Sequence, residues 1–223
     1  MIAWALAGAI VLGNGHVAAR GEQPAWSNQG KLAYVRDGSI HVGSHSFAGV
    51  SPAWSPDGKR IAFARWSSKI GYSIWIARAD GSDAKRIVKN ATHPTWSRNG
   101  LIAFASNRDG ADSDVWTMHP DGTHLRNLTP SIWEDAWPTF SPDGKTIAYT
   151  NNGELWTMRA DGSHKHRVHK TVAVDNWGPA WSPNGKTLAF VVLKSGAKWI
   201  YTIRPDGTDL QRVAKGDTPT FTR

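Results

Sequence analysis

One seven-residue motif, Pro-x-Trp-Ser-Pro-Asp-Gly with close variants, recurs along the chain and constrains the fold more than any other feature. Clear copies begin at Pro52, Pro94, Pro138 and Pro179, at spacings of 42, 44 and 41 residues. A weaker copy begins at Pro24, and a segment that begins at Pro219 repeats the first positions of the motif. A period near 40 residues with strand-type content is typical of the four-stranded blade of a propeller.

Each copy is followed by the same order of apolar runs and turns. After the glycine comes a run such as residues 60–64 (Arg-Ile-Ala-Phe-Ala), and a second run such as residues 74–76 (Ile-Trp-Ile) follows a variable loop. An Asp-Gly pair and a short run with a basic residue end the unit, as at Asp80 and Arg86. Pro-Asp-Gly and Asp-Gly indicate turns, because proline presets φ and glycine adopts positive φ. Each unit therefore predicts four antiparallel strands, A to D.

The chain contains 13 tryptophans, and six of them recur at equivalent strand positions. These are Trp54, Trp96 and Trp181 on strand A, and Trp75, Trp116 and Trp156 on strand C. Because large aromatic side chains that recur once per repeat fill equivalent gaps, we expect these six between the blades. One such sheet cannot bury both of its faces, whereas a ring of sheets can. The sequence predicts an all-β propeller of four-stranded antiparallel blades, with helices nearly absent.

The two ends of the chain leave the number of blades open between five and six. The favoured arrangement has five blades, formed by residues 31–50 plus 217–223, 51–92, 93–135, 136–176 and 177–216. Pairing of the N- and C-terminal segments then closes the ring without an open edge. In the alternative, residues 24–27 form strand A of the first blade, and the C-terminal segment begins an incomplete sixth blade.

The repeated unit Pro-x-Trp-Ser-Pro-Asp-Gly-Lys-x-Ile-Ala-Phe, followed by Ile-Trp and Asp-Gly, resembles the TolB-like (PD40) repeat of WD40-like β-propellers. Its four clear copies cover roughly residues 51–213. The resemblance implies a propeller, and an exported scaffold that binds protein, as in the carboxy-terminal domain of TolB.

Residues 1–20 differ in character from the propeller domain expected over residues 21–223. Residues 2–12 are almost wholly apolar, and Val17, Ala18 and Ala19 offer small side chains at a spacing suited to a signal peptidase. This pattern predicts a secretory signal peptide, and hence a periplasmic or secreted protein. A disordered or strand-forming leader is the alternative. The rest of the chain is not apolar enough to span a bilayer, so we do not expect an integral membrane protein.

Composition narrows the function classes. The chain has no cysteine, which excludes disulfides, thiolate metal sites and thiol catalysis. Its net charge of +8 is spread along the chain, and the repeated Arg86, Arg126, Arg167 and Arg212 should ring the outer rim. We therefore expect no nucleic-acid groove. No nucleophile elbow, phosphate loop or dinucleotide fingerprint is present, so we expect a monomeric binding protein with no catalytic residues.

The D-to-A and B-to-C connections of all blades share one face of the ring, here called the loop face. Variable loops on a fixed scaffold commonly carry function. The loop-face residues that we predict to bind are Trp66, His93, Trp133, Glu134, Asp135, Trp137, Asp175, Asn176, Trp177 and Asp217. Aromatic anchors beside polar groups favour recognition of a protein partner. Loop packing and turn bonding are the alternative role for each of these side chains.

The acids among these residues support a second hypothesis. If Glu134, Asp135, Asp175 and Asp217 converge at the mouth of the channel, paired carboxylates could serve a carbohydrate-binding or carbohydrate-active propeller. The same oxygens suit Ca²⁺, the one metal that the pattern admits. A glycan is therefore the alternative to a protein partner, and we expect no other cofactor.

Overall fold

A computed structural model describes residues 2–6, 9–11, 17–20, 22–110, 112–170, 178–216 and 218–221, and side chains within 22–110, 112–170 and 178–216. Every regular element in these ranges is a β-strand, and the strands form four-stranded antiparallel sheets. The predicted all-β architecture is thereby confirmed. In the described ranges no helix is long and apolar enough to cross a membrane.

The strands follow one another as the repeat predicts. The chain begins with β1 (Ile2–Leu6), β2 (Ala9–Val11) and β3 (Val17–Arg20). Blade 1 contains β4 (Glu22–Trp26), β5 (Leu32–Arg36), β6 (Ser39–Val42) and β7 (His45–Ala48). Blade 2 contains β8 (Val50–Trp54), β9 (Arg60–Ser67), β10 (Gly71–Arg78) and β11 (Lys85–Lys89).

The remaining blades repeat this order. Blade 3 contains β12 (Thr92–Trp96), β13 (Ile102–Ser106), β14 (Asp114–Met118) and β15 (Arg126–Asn127). Blade 4 contains β16 (Asp135–Phe140), β17 (Thr146–Asn151), β18 (Glu154–Arg159) and β19 (His166–His169). Blade 5 contains β20 (Ala180–Trp181), β21 (Leu188–Lys194), β22 (Ala197–Ile203) and β23 (Gln211–Lys215), and β24 (Thr218–Phe221) ends the chain.

The first strand of each blade lies on the inside of a closed ring. Each of the inner strands β4, β8, β12, β16, β20 and β24 contacts the next, and β24 contacts β4 again. The five blades between Glu22 and Lys215 are thus followed by a sixth four-stranded sheet, in the order β24-β1-β2-β3. This arrangement surrounds a central channel.

The ends of the chain pair with each other, as predicted, but in a sheet of their own. Ile2 lies opposite Phe221 in the pairing of β1 with β24. The inner strand of blade 1 is instead β4, in which Glu22 lies opposite Val35. This corrects the assignment of residues 217–223 to the blade of residues 31–50, and the sixth sheet has four strands where the alternative had an incomplete blade. The reason is local, because the weaker motif at Pro24 already forms a complete inner strand.

The apolar core lies between neighbouring blades. One cluster joins blade 2 to blade 3 through Ile74, Ile76, Phe104 and Met118, and three further clusters join blades 1 and 2, 3 and 4, and 4 and 5. Trp54 and Trp116 are buried, and Trp75, Trp96, Trp156 and Trp181 pack partly buried against these clusters. The predicted inter-blade position of the six tryptophans is confirmed. The largest fully buried rings, however, are Phe63, Phe104, Tyr149 and Phe190 on the second strands.

The serine of the motif fixes the turn after each inner strand. In blade 2, Ser55 Oγ accepts a hydrogen bond from Arg60 N at 2.9 Å and donates one to the Asp57 carboxylate at 2.6 Å. Ser27, Ser97, Ser141 and Ser182 accept the equivalent backbone hydrogen bond in the other four blades. Because each serine is buried, its hydroxyl satisfies backbone groups that water cannot reach. This explains why serine follows the aromatic residue in each copy.

Candidate binding site in the central channel

The inner strands of blades 1 to 5 line a channel cavity of about 910 Å³. Its walls are formed mainly by residues 23–26, 51–56, 93–98, 137–142 and 178–181. The same short segment of the repeat therefore contributes to the wall from each of these blades. Where the amino-acid sequence of these segments differs between blades, the corresponding sides of the channel carry different side chains.

The residue before the motif proline has an unusual backbone in four blades. Gln23, Ser51, His93 and Trp137 have φ values of 50°, 53°, 50° and 56°. Each lies at a shift in the pairing of its inner strand, which marks a β-bulge. Positive φ is uncommon for residues other than glycine, and a following proline restricts the backbone further. Because the bulge recurs at equivalent positions, we attribute it to the fold, and all four residues line the channel.

Neighbouring pre-proline residues contact each other around the channel. Gln23 Oε1 accepts a hydrogen bond from Ser51 N at 2.6 Å. The rings of His93 and Trp137 lie with their centroids 3.4 Å apart and an interplanar angle of 31°. Gly178 occupies the equivalent position in blade 5, where a Cβ atom would lie 2.7 Å from Cβ of Trp137. Glycine at this position therefore leaves the space that the Trp137 side chain needs.

His93 contributes an uncharged aromatic surface. Burial of the imidazole lowers the pKa of His93 to about 3, so the ring is neutral at physiological pH. Its Nδ1 atom is buried without a hydrogen-bond partner. A neutral ring stacked on Trp137 suits contact with an apolar or aromatic group better than proton transfer near neutral pH.

The connection between blades 3 and 4 presents two exposed apolar side chains on the loop face. Ile132 is 79% exposed and Trp133 is 51% exposed. Beneath them, Ser131 Oγ accepts a hydrogen bond from Trp133 N at 3.1 Å. Asp135 N donates to Ser113 O, and Asn152 N donates to Glu134 O, which ties the loop to both adjacent blades. The loop of residues 129–135 is thus held at its base while its apolar tip faces solvent.

The carboxyl group of Asp135 forms part of that base. Asn151 Nδ2 donates to Asp135 Oδ1 at 2.8 Å, and Ser131 Oγ donates to Oδ2 at 3.3 Å. Burial is the main cause that raises the pKa of Asp135 to about 6, and the Asp114 carboxylate adds to the effect. The hydrogen bonds act in the opposite direction but do not cancel it. Asp135 therefore changes charge near pH 6.

This pKa predicts that the contribution of Asp135 to stability falls as the pH rises. The folded-state pKa lies above the unfolded value of about 3.9, so folding favours the protonated carboxyl. The resulting stabilisation is complete below about pH 4 and is lost as the pH rises through 6, a change of up to about 3 kcal/mol. We expect Asp135→Asn to remove this dependence and to make the protein more stable than wild type at pH 7.5. Urea unfolding between pH 4 and 8 measures both effects.

Asp143→Asn is the matched control for this experiment. Asp143 lies in the turn after β16, and the Ser141 hydroxyl lowers its pKa. Asn184 occupies the equivalent position in blade 5 and makes the same contacts with its turn. We therefore expect Asp143→Asn to leave the pH profile between 5 and 7 unchanged. The lowered pKa of His93 acts on stability in the opposite direction over the same range, so the decisive quantity is the difference in unfolding free energy between Asp135→Asn and wild type. A difference that does not grow between pH 4 and 8 would contradict the raised pKa of Asp135.

The structure brings some of the predicted site residues together and separates others. His93 and Trp137 meet in the channel, and Trp133 lies exposed on the adjoining loop. Neither Glu134 nor Asp135 lines the channel, and Trp66 stands apart on β9 beside Tyr72, with ring centroids 5.1 Å apart. Asp175, Asn176, Trp177 and Asp217 lie outside the described residues, so their placement stays a prediction.

Among the pre-proline residues of the channel, three were not predicted from the sequence: Gln23, Ser51 and Gly178. Each directly precedes the proline of a motif copy, and that position could have been compared across copies. The sequence did not reveal the β-bulge at this position, which places these residues in the wall of the channel. In the ranges 22–110, 112–170 and 178–216, no group of three histidine or acidic side chains lies together as metal ligands.

Comparison with known proteins places this architecture in a family. The family described as the TolB beta propeller domain matches residues 23–154. A protein TolB homolog from Chlorobium luteolum is 36% identical over 103 residues, which cover 46% of this chain and 23% of that protein. An uncharacterized peptidase, YuxL of Bacillus subtilis, is 33% identical over 110 residues, which cover 45% of this chain and 17% of that protein. The chain thus matches less than a quarter of the length of each relative.

The fold is also found among solved structures. The crystal structure of TolB from Acinetobacter baumannii superposes with a TM-score of 0.82 at 19% sequence identity. The superposition covers 99% of this chain and 66% of that chain. At this level of identity the likeness concerns the fold.

Proposed function

Since the chain belongs to the family of the TolB β-propeller domain, we propose that it is a non-catalytic scaffold that recognises a protein partner on its loop face. We place this activity in the periplasm or outside the cell, as the resemblance to TolB-like propellers implies. The recognition surface consists of the channel mouth, with His93 and Trp137, and the adjoining 129–135 loop.

One observation supports this proposal above all others. Five inner strands share one motif, yet the residue before the proline differs in every blade: Gln23, Ser51, His93, Trp137 and Gly178. A side chain needed for the fold should recur with the repeat, as the motif serine does. Variation at equivalent positions on a constant backbone is instead typical of a binding surface.

The exposed tip of the 129–135 loop extends this surface. Trp133 lies outside the repeat, and about half of its side chain is exposed. Tryptophan is enriched among the residues that dominate binding energy at protein interfaces. The hydrogen-bonded base of the loop limits the conformational entropy that Trp133 loses on binding.

A binding experiment with point variants tests the proposal. The partner is identified by crosslinking in an envelope fraction, purified, and titrated against the propeller by calorimetry. We expect Trp133→Ala and Trp137→Ala each to raise the dissociation constant by about 30-fold, the effect typical of an interface hot spot. Leu125→Ala is the matched control, because Leu125 is exposed on the opposite face, between β14 and β15.

Two results would contradict the proposal. Equal dissociation constants for wild type, Trp133→Ala and Trp137→Ala would remove the loop face as the binding surface. Turnover of a glycan or peptide substrate that persists in purified wild type and is lost in Asp135→Asn would show that the protein is catalytic.

A further inference from the structure

The hairpins that join the second and third strands of each blade reach different heights on the loop face. In the described blades an aromatic residue on the second strand pairs with the third strand at the same level: Tyr34, Phe63, Phe104, Tyr149 and Phe190. Beyond this level, pairing continues for two residues in blades 1, 3 and 4, to Arg36, Ser106 and Asn151. It continues for four residues in blades 2 and 5, to Ser67 and Lys194.

The two longer hairpins therefore project beyond those of blades 1 and 4, whereas the strands of blade 3 are joined by the longer connection of residues 107–113. Two additional residues of strand extend a hairpin by about 7 Å. Blades 2 and 5 are separated by two sheets in either direction around the ring, because their inner strands β8 and β20 stand three steps apart. The projecting tips, residues 65–72 and 193–198, thus lie on opposite sides of the channel and on one face.

Both tips combine apolar and basic side chains. Trp66 is 63% exposed and packs edge-on against exposed Tyr72, and Lys69 lies exposed in the turn between them. The other tip carries exposed Leu193, which is 49% accessible, and exposed Lys194. Among the described residues, no ion pair involves either lysine.

The two projecting tips differ in charge from the other three connections between second and third strands. Residues 65–72 and 193–198 contain no aspartate or glutamate. Each of the other three connections contains at least one, with Asp37 in blade 1, Asp109 in blade 3 and Glu154 in blade 4. In blades 1 and 4 the negative charges are thereby set back about 7 Å from the plane of the projecting tips, close to the screening length of about 8 Å at physiological ionic strength.

From this arrangement we propose that the two tips dock the propeller on an anionic membrane surface. A flat surface can contact both tips at once, although they lie apart on opposite sides of the channel. Tryptophan and tyrosine are the residues that favour the membrane interface, and lysine is attracted to anionic headgroups. The shorter hairpins of blades 1 and 4 leave a gap above the channel mouth through which a partner can still reach His93 and Trp137. The proposal does not depend on the identity of that partner.

Vesicle flotation with the purified chain tests this docking without any partner protein. The probes are vesicles of phosphatidylcholine alone and vesicles with 30% phosphatidylglycerol. We expect binding to the anionic vesicles, loss of binding at high salt, and a blue shift of tryptophan fluorescence on binding. Trp66→Ala combined with Lys69→Glu should weaken the apparent affinity at least tenfold, since each basic residue near the surface contributes about fivefold.

A matched double variant separates docking from a general effect of charge. Leu210→Ala combined with Lys186→Glu makes the same kinds of change on the opposite face, where both residues are exposed. We expect this variant to bind like wild type. Absence of binding to anionic vesicles, or equal losses in the two double variants, would overturn the proposal. Tips that bind no vesicles but are needed for capture of an acidic protein or an acidic glycan would also overturn it.

Discussion

Replacing Gly49 by alanine is expected to destabilise the protein by about 3 kcal/mol, through overpacking and backbone strain at one point. Gly49 lies where blade 1 passes to blade 2, and its φ is 155°. A Cβ atom there would lie 2.5 Å from Cδ2 of Phe63 and 3.1 Å from Cδ1 of Ile40. Both side chains are fully buried in the cluster between the two blades, so neither can move without opening that core. Urea unfolding monitored by fluorescence measures the loss.

Two other glycines provide controls for this substitution. Gly100 has a φ of 85°, and no heavy atom lies within 4 Å of the position that an added Cβ would take, so Gly100→Ala isolates the backbone cost of about 1 kcal/mol. Gly110 has neither feature, and Gly110→Ala should change the free energy of unfolding by less than about 0.5 kcal/mol. If Gly49→Ala lowered the free energy of unfolding no more than Gly100→Ala does, the contact with Phe63 would add nothing to the backbone cost.

Removal of the last strand is expected to lower the melting temperature by about 10 °C, which for a chain of this length corresponds to about 4 kcal/mol. A chain that ends at residue 217 lacks β24, which pairs with β1 and contacts the inner strands β4 and β20. Its loss opens the ring at the channel and leaves the edge of β1 unpaired. Calorimetry measures the melting temperature, and limited proteolysis should cut the shortened chain first in residues 1–20.

A chain that ends at residue 221 is the control for this truncation, because it keeps all of β24. We expect it to melt like the full chain. Equal melting temperatures for chains that end at 217 and 221 would show that ring closure contributes little to stability. The experiment also bears on the leader, since removal of a signal peptide of residues 1–20 takes β1, β2 and β3 out of the same sheet.

The repeat made most of the fold predictable from the sequence. The position of each motif copy located an inner strand and its turn, since Pro, Asp and Gly act through local backbone preferences. The end sheet was not assigned, because the apolar run of residues 2–12 suits short strands and a signal peptide equally. The five-blade arrangement assigns the inner strand of blade 1 to residues 217–223 and not to the weak copy at Pro24. The structure shows that Ser27 fixes the turn after Pro24 as the other motif serines do in their blades.

The candidate site was less predictable, because it depends on contacts between blades. His93 and Trp137 were noted for their place in variable loops, but their stacking follows from β-bulges in two different sheets. The burial of Asp135 depends on groups from β17 and from the loop before β14, which no local pattern joins. In the sequence, Trp66 and Trp133 both lie in variable connections. In the structure, Trp66 pairs with Tyr72 near the end of the long β9–β10 hairpin, away from the channel.

The pairing of Ile2 with Phe221 also sets the order in which the molecule can be completed. During synthesis β1 leaves the ribosome long before β24, its partner in the sheet. Blades 1 to 5 can assemble in sequence, each on the one before. Until β24 is made, the edge of β1 that pairs with it has no partner strand. Long-range contacts of this kind form slowly and leave the nascent chain open to association with other strands. The pairing of β24 with β1 is therefore the step that closes a linear stack of sheets into a ring.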